Sequence, residues 1–162
     1  MEKPDVDEKW ITVTAEVGDA RVRIVKPVGS RGTLPVVLYV HGGGRVVGNA
    51  GTHDRPVREP AVRANAAVVF VEYARSPEAR YPVAIEQAYA TARWITAKGA
   101  EEGLDASRPA VAGDSVGGTG TMTAALTLMA KAMAWFWDCR PRSSSSTRTT
   151  CCGTRVRCMP AS

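Results

Sequence analysis

Three short apolar runs organise the chain. Pro35-Val36-Val37-Leu38-Tyr39-Val40, Ala66-Ala67-Val68-Val69-Phe70-Val71 and Arg108-Pro109-Ala110-Val111-Ala112 are too brief for helices. The first two are apolar almost throughout, as expected of strands covered on both faces. Upstream, Trp10 to Val17 and Ala20 to Val25 alternate with the period of half-buried strands, and Gly18-Asp19 between them reads as a hairpin turn. That predicts an antiparallel pair at a sheet edge. Helices are expected over Asp54 to Asn65, from Pro82 onward, and over Thr121 to Met133. In the second, Ile85, Ala88, Tyr89, Ala92 and Ile95 recur at helical spacing, Pro82 suits the first turn, and Gly99 and Gly103 end the element.

Strands alternating with helices imply a mostly parallel sheet with helices on both faces, so the fold class is α/β. Trp135-Phe136-Trp137 could extend the last helix as an aromatic patch. From Cys139 the periodicity ends in a Ser run, Ser143 to Ser146, and a basic Cys/Ser/Arg-rich stretch. The expected division is therefore a body over 1–138 and a disordered tail over 139–162.

Charge and cysteine content follow the same division. The net charge is +5, and Arg140, Arg142, Arg148, Arg155 and Arg157 account for all of it. The body is neutral and offers no long-range field for nucleic acid or an anionic membrane. All four cysteines, Cys139, Cys151, Cys152 and Cys158, lie in the tail. Their spacing is not that of a zinc site, and no disulfide framework is expected in the body. The charged amino-terminal stretch lacks an apolar signal core and no run is long enough to span a bilayer, so the expected location is cytoplasmic.

Two glycine-rich segments carry chemistry. Gly113-Asp114-Ser115-Val116-Gly117 fits the G-x-S-x-G elbow, in which a serine sits on a sharp strand-to-helix turn. It follows a predicted strand and opens a predicted helix. His41-Gly42-Gly43-Gly44 follows its own apolar strand, and its glycines can turn backbone N–H groups toward a cavity. Acyl transfer needs such donors for the oxyanion of its tetrahedral intermediate. Neither segment gives a dinucleotide-binding G-x-G-x-x-G or the P-loop ending.

With Glu72-Tyr73-Ala74-Arg75-Ser76-Pro77-Glu78 and Tyr81-Pro82-Val83-Ala84, these motifs make the chain resemble the hormone-sensitive-lipase-like family of α/β-hydrolases, bacterial carboxylesterases in particular. The resemblance runs from about Trp10 to Lys131. It implies an incomplete α/β-hydrolase fold, truncated at the carboxyl-terminal side, and esterase- or lipase-like hydrolysis of small-molecule esters with short acyl chains. It implies Ser115 as nucleophile and the N–H groups of Gly43, Gly44 and Val116 as oxyanion hole. It gives His41, Gly42, Gly113, Asp114 and Gly117 motif-shaping roles, and it requires no metal or organic cofactor. Tyr73, Arg75 and Pro77 fall in the family's structural loop, with no chemistry assigned.

In that family an acidic residue and a histidine follow the serine. Here only Asp138 is acidic after Ser115, and both histidines, His41 and His53, precede it. His53 reads as a helix-start histidine beside an N-capping Asp54 rather than a substitute base. The expected activity of this chain is therefore weak or absent; the alternative is a non-catalytic remnant that binds an acyl ligand. The tail composition suggests translation in a shifted frame. Oligomeric state is not readable from the sequence.

Overall fold

The computed structural model describes residues 3–118. The helix expected over Thr121 to Met133, the Trp135–Trp137 patch, Asp138 and the tail 139–162 lie outside the described residues.

The observed strands are β1 (Val6–Val13), β2 (Ala20–Pro27), β3 (Leu34–Val40), β4 (Ala67–Glu72) and β5 (Leu104–Gly113). Helix α1 (Asp54–Arg63) joins β3 to β4; α2 (Val83–Lys98) and a 3₁₀ turn, Gly99–Glu102, join β4 to β5. The five strands form one sheet in the order β1-β2-β4-β3-β5. β1 and β2 are antiparallel, β2 is antiparallel to β4, and β3 runs parallel to both β4 and β5. This is the α/β class with an antiparallel edge hairpin.

The two crossovers move in opposite directions from β4 and β3, so right-handed connections put α1 and α2 on opposite faces. Two apolar clusters follow from that. Val69, Val71, Val36, Leu38 and Val40 face α2 with Ala88, Ala92 and Ile95. Val68, Phe70 and Tyr39 face α1 with Val57 and Ala61. The period-2 geometry of β3 and β4 divides consecutive residues between these faces, which is why both runs are apolar without a break.

Several elements differ from the sequence expectation. β1 starts and ends four residues earlier than Trp10 to Val17. Val13 pairs with Ala20, the intervening six residues form the connection, and Val17 is left exposed. The strand is drawn back by pairing along all of β2 and by an ionic cluster. Arg23, buried in β2, donates to Glu8 of β1 (2.8 Å), to Asp54 at the start of α1 (2.7 Å) and to the Ala50 carbonyl (3.3 Å). Arg58 also bonds Asp54 (2.8 Å) and Glu8, and Lys3 reaches Asp54 from the rim (3.0 Å). Asp54 thus faces guanidinium groups instead of capping its helix, whose N-cap is His53.

The stripe of α2 is also rotated. Ala88, Ala92 and Ile95 are buried as expected, but Gln87 and Thr91 join them while Ile85 and Tyr89 are only half-buried. Gln87 uses its whole amide. Its Nε2 donates to the Gly18 and Asp19 carbonyls (both 3.1 Å), and its Oε1 accepts from Ala74 N–H (2.7 Å). A buried amide is tolerated because it is satisfied. It ties the hairpin turn to the segment after β4.

Candidate active site

The carboxyl ends of β3 and β5 lie side by side, with Val40 opposite Gly113. Ligands of open α/β sheets bind beyond such strand ends. The chain leaves β3 as His41–Gly48 and leaves β5 as Asp114–Gly118, so the two glycine-rich segments meet. Gly42 N–H donates to Asp114 Oδ1 (3.0 Å), and the Tyr39 hydroxyl donates to the same oxygen (3.2 Å).

Their approach leaves no room for side chains. A Cβ on Gly117 would stand 2.0 Å from the Val40 carbonyl oxygen, and one on Gly42 would stand 2.1 Å from Asp114 Oδ2 and 2.8 Å from its carbonyl oxygen. Ser115, two residues before Gly117, adopts φ 51°, in the left-handed region. A non-glycine residue there costs on the order of 1–3 kcal/mol and persists only where its surroundings hold it. The hold is local: Gly117 and Gly118 N–H both bond the Asp114 carbonyl (2.8 and 3.4 Å), and a helix begins at Val116. The Val116 amide is therefore among the first-turn donors that a helix leaves without an internal partner.

Gly43 turns at φ 96°, where a Cβ would meet the Val47 carbonyl oxygen at 2.2 Å. Its own carbonyl accepts from Val46 and Val47 (3.1 and 3.0 Å). Gly44, at φ 65°, borders open space. The segment after β4 braces this loop: Ser76 N–H bonds the Arg45 carbonyl (2.8 Å), and Arg75 donates to the Gly48 carbonyl.

His41 is fully buried. Its ring stacks on Tyr73 (4.1 Å between centroids) and on Phe70 (5.3 Å). Nδ1 lies 2.8 Å from the Gly42 carbonyl oxygen, which assigns the proton to Nδ1 in the neutral ring, and Nε2 meets no partner among the described residues. Burial lowers the pKa of His41 against the pull of the Gly42 carbonyl. The Tyr73 hydroxyl donates to the His41 carbonyl (2.7 Å), and burial raises its pKa to about 12.

His53 is brought against Asp114, the residue before Ser115. Its Nε2 is 3.5 Å from Asp114 Oδ1, and its Nδ1 is 2.9 Å from Thr52 Oγ1. Its ring is 5.2 Å from that of His41. Burial pushes Asp114 upward, but Gly42 N–H, the Tyr39 hydroxyl and His53 outweigh it and hold the carboxyl below its ordinary range. Burial and the Asp114 charge raise Tyr39 to about 12.

A cleft opens beside the elbow, lined by Val40, Arg45, Tyr73, Ile85, Val116 and Gly117. Among the described residues no three His, Cys, Asp or Glu side chains converge as a metal site, and no helix is long and apolar enough to cross a membrane. The linking part of Asp114 and the bracing part of Arg75 were not visible in the sequence. Only the β3–β5 register brings Asp114 onto Gly42.

A left-handed serine just past the end of a parallel strand, with its neighbour Asp114 bonded to a glycine loop after the adjacent strand, accords with an α/β-hydrolase, and the chain belongs to that family: the alpha/beta hydrolase fold profile matches residues 37–138. Among curated relatives, Esterase LipI of Mycobacterium tuberculosis is 55% identical over 118 residues, covering 72% of this chain and 37% of that protein. Carboxylesterase NlhH of the same species is 49% identical over 100 residues, covering 62% and 31%. Among solved structures, the thermostable esterase from Pseudomonas putida ECU1011 matches with a TM-score of 0.74 at 40% identity, covering 78% of this chain and 40% of that one. The metagenomic carboxylesterase EstE1 matches with a TM-score of 0.76 at 34% identity, covering 82% and 45%. The chain thus spans less than half the length of these relatives.

Proposed function

We propose that the chain carries the nucleophile and the oxyanion-binding half of a serine carboxylesterase acting on small esters with short acyl chains. Ser115 would attack the ester carbonyl, with the N–H groups of Gly43, Gly44 and Val116 receiving the oxyanion. His41, Gly42, Gly113, Asp114 and Gly117 would shape the two loops. The observation that carries this reading is the left-handed Ser115 at the end of β5, with Gly42 bonded to its neighbour Asp114. The esterase names of the relatives support the same reading.

Ester cleavage also needs a base to take the proton from Ser115 Oγ. His41 is buried with Nδ1 against a carbonyl, and the Nε2 of His53 faces Asp114. No histidine follows Ser115. We therefore expect this chain to be a weak esterase or an inactive one. An oxyanion hole alone retains about 10³–10⁴-fold catalysis over water when triad members are removed. The engagement of both histidines favours a second reading, in which the chain binds an acyl ligand without turning it over.

The test is hydrolysis of p-nitrophenyl acetate by the purified chain beside its Ser115→Ala variant. Turnover that disappears with the serine supports the esterase. Equal rates in both would remove the catalytic reading and leave the binding one.

A further inference from the structure

Most arginines of the described chain are matched. Arg23, Arg55, Arg58, Arg63 and Arg108 are paired with carboxylates, Arg21 lies over the Trp10 ring and Arg75 bonds a carbonyl. Arg31 and Arg93 are exposed, where water screens a lone charge. Arg45 is different. It is half-buried, it follows Gly44 directly, and among the described residues no carboxylate is paired with its guanidinium.

Removing a cation from water without a counter-charge is unfavourable. Arg45 nevertheless lines the cleft that ends on Val116 and Gly117, and also the adjoining one lined by Ser76, Arg80 and Ile85. Arg80, which is exposed at the rim of that second cleft, has no carboxylate partner among the described residues either. The nearby acidic side chains, Glu78 and Glu86, are exposed and pair with neither arginine. Most of the remaining wall beside the elbow is apolar, with Val40, Ala84, Ile85 and Val116, and the Tyr73 hydroxyl there is already bonded to the His41 carbonyl. An apolar wall with one well-placed polar group is how small-molecule sites fix orientation, and a guanidinium fork matches a carboxylate in two parallel hydrogen bonds.

We propose that this cleft accepts a carboxylate, so that Arg45, with Arg80 behind it, selects esters whose acyl or alcohol part carries an anionic group over neutral esters. The proposal rests on the esterase reading only in taking this end of the sheet as the ester site. Its test is binding and needs no turnover.

The full 162-residue chain carrying Ser115→Ala is titrated with monoethyl succinate, which is anionic, and with diethyl succinate, which is neutral. The monoester should bind about tenfold more tightly, the worth of one charge-assisted pair, and the preference should shrink as salt is raised. Arg45→Gln should bring the two ligands to within about twofold, whereas Arg45→Lys should keep part of the preference, because lysine retains the charge and loses the fork. Equal binding of the two ligands overturns the proposal. So does a preference that survives Arg45→Gln, or the absence of any binding by monoethyl succinate. Equal hydrolysis by the native chain and Ser115→Ala would end the esterase reading separately, without changing these titrations.

Discussion

The residues of β4 from Ala67 to Val71 are all fully buried and differ only in size, whereas at Gly42, Gly43, Gly48 and Gly117 a Cβ would stand 3.0 Å or less from a backbone carbonyl oxygen. In the body of the sheet each side chain contributes through the apolar area it removes from water, and a neighbour of similar volume would serve. At these glycines the limits are dihedral angles and carbonyl oxygens, which yield only when the backbone itself shifts. The body therefore sets how stable the molecule is, and the end sets what its backbone amides and serine can do.

Phe70→Ala should give the largest loss of stability, about 3–5 kcal/mol, because it empties the centre of the α1 face and removes the ring beneath His41. A urea titration would show it as a lower midpoint at unchanged slope. Gly117→Ala should cost less, about 1–3 kcal/mol, as the new methyl forces the Val40 and His41 carbonyls away. Its local effect should be greater. Hydrogen exchange at Gly42 N–H, which is bonded to Asp114, should accelerate more in Gly117→Ala than its global stability accounts for, and no more than in proportion in Phe70→Ala. Equal behaviour of the two variants would erase the distinction between body and end.

Acid should act on the seam between the two. Side-chain bonds from Arg23 depress Glu8. Burial pushes Asp54 upward, but bonds from Arg58, Arg23 and Lys3 more than reverse it. Between the folded and unfolded pKa values the unfolded chain binds more protons, so stability is complete above the ordinary carboxylate range and is lost as pH falls from about 4 downward. Urea midpoints measured from pH 5 to pH 3 should drop, and Arg23→Met should flatten that slope. Lys3→Ala should have the smallest effect, under about 1 kcal/mol and vanishing in high salt, since Lys3 is mostly exposed.

The aliphatic runs of β3 and β4 declared themselves because both faces are covered, and the elbow and glycine loop did so because their geometry admits few residues. Residues whose partners come from distant elements were not legible. Arg23 alternates with Val22 and Ile24 like any half-exposed strand residue, and only the docking of α1 reveals it as buried. Gln87 interrupts an apolar stripe, and nothing near it names Gly18, Asp19 and Ala74 as its partners. β1 was misplaced because the β-branched residues toward Val17 have strand propensity, while pairing and ionic contacts favour the segment from Val6. The bond from Gly42 to Asp114 spans 72 positions and depends on a strand register that no local pattern encodes.

Arg23 also works as an indexing pin. An aliphatic contact between α1 and the sheet would allow the helix to roll or slide by a fraction of a turn at little cost. A planar guanidinium that must meet the first residue of α1, a carbonyl four residues before it and a carboxylate on β1 accepts one setting only. His53, the residue before Asp54, is carried by that setting, and so is its distance from Asp114 beside the serine. Mechanical precision at the site is thus set from β2, with β4 lying between it and β3, by a side chain that touches none of the reacting groups.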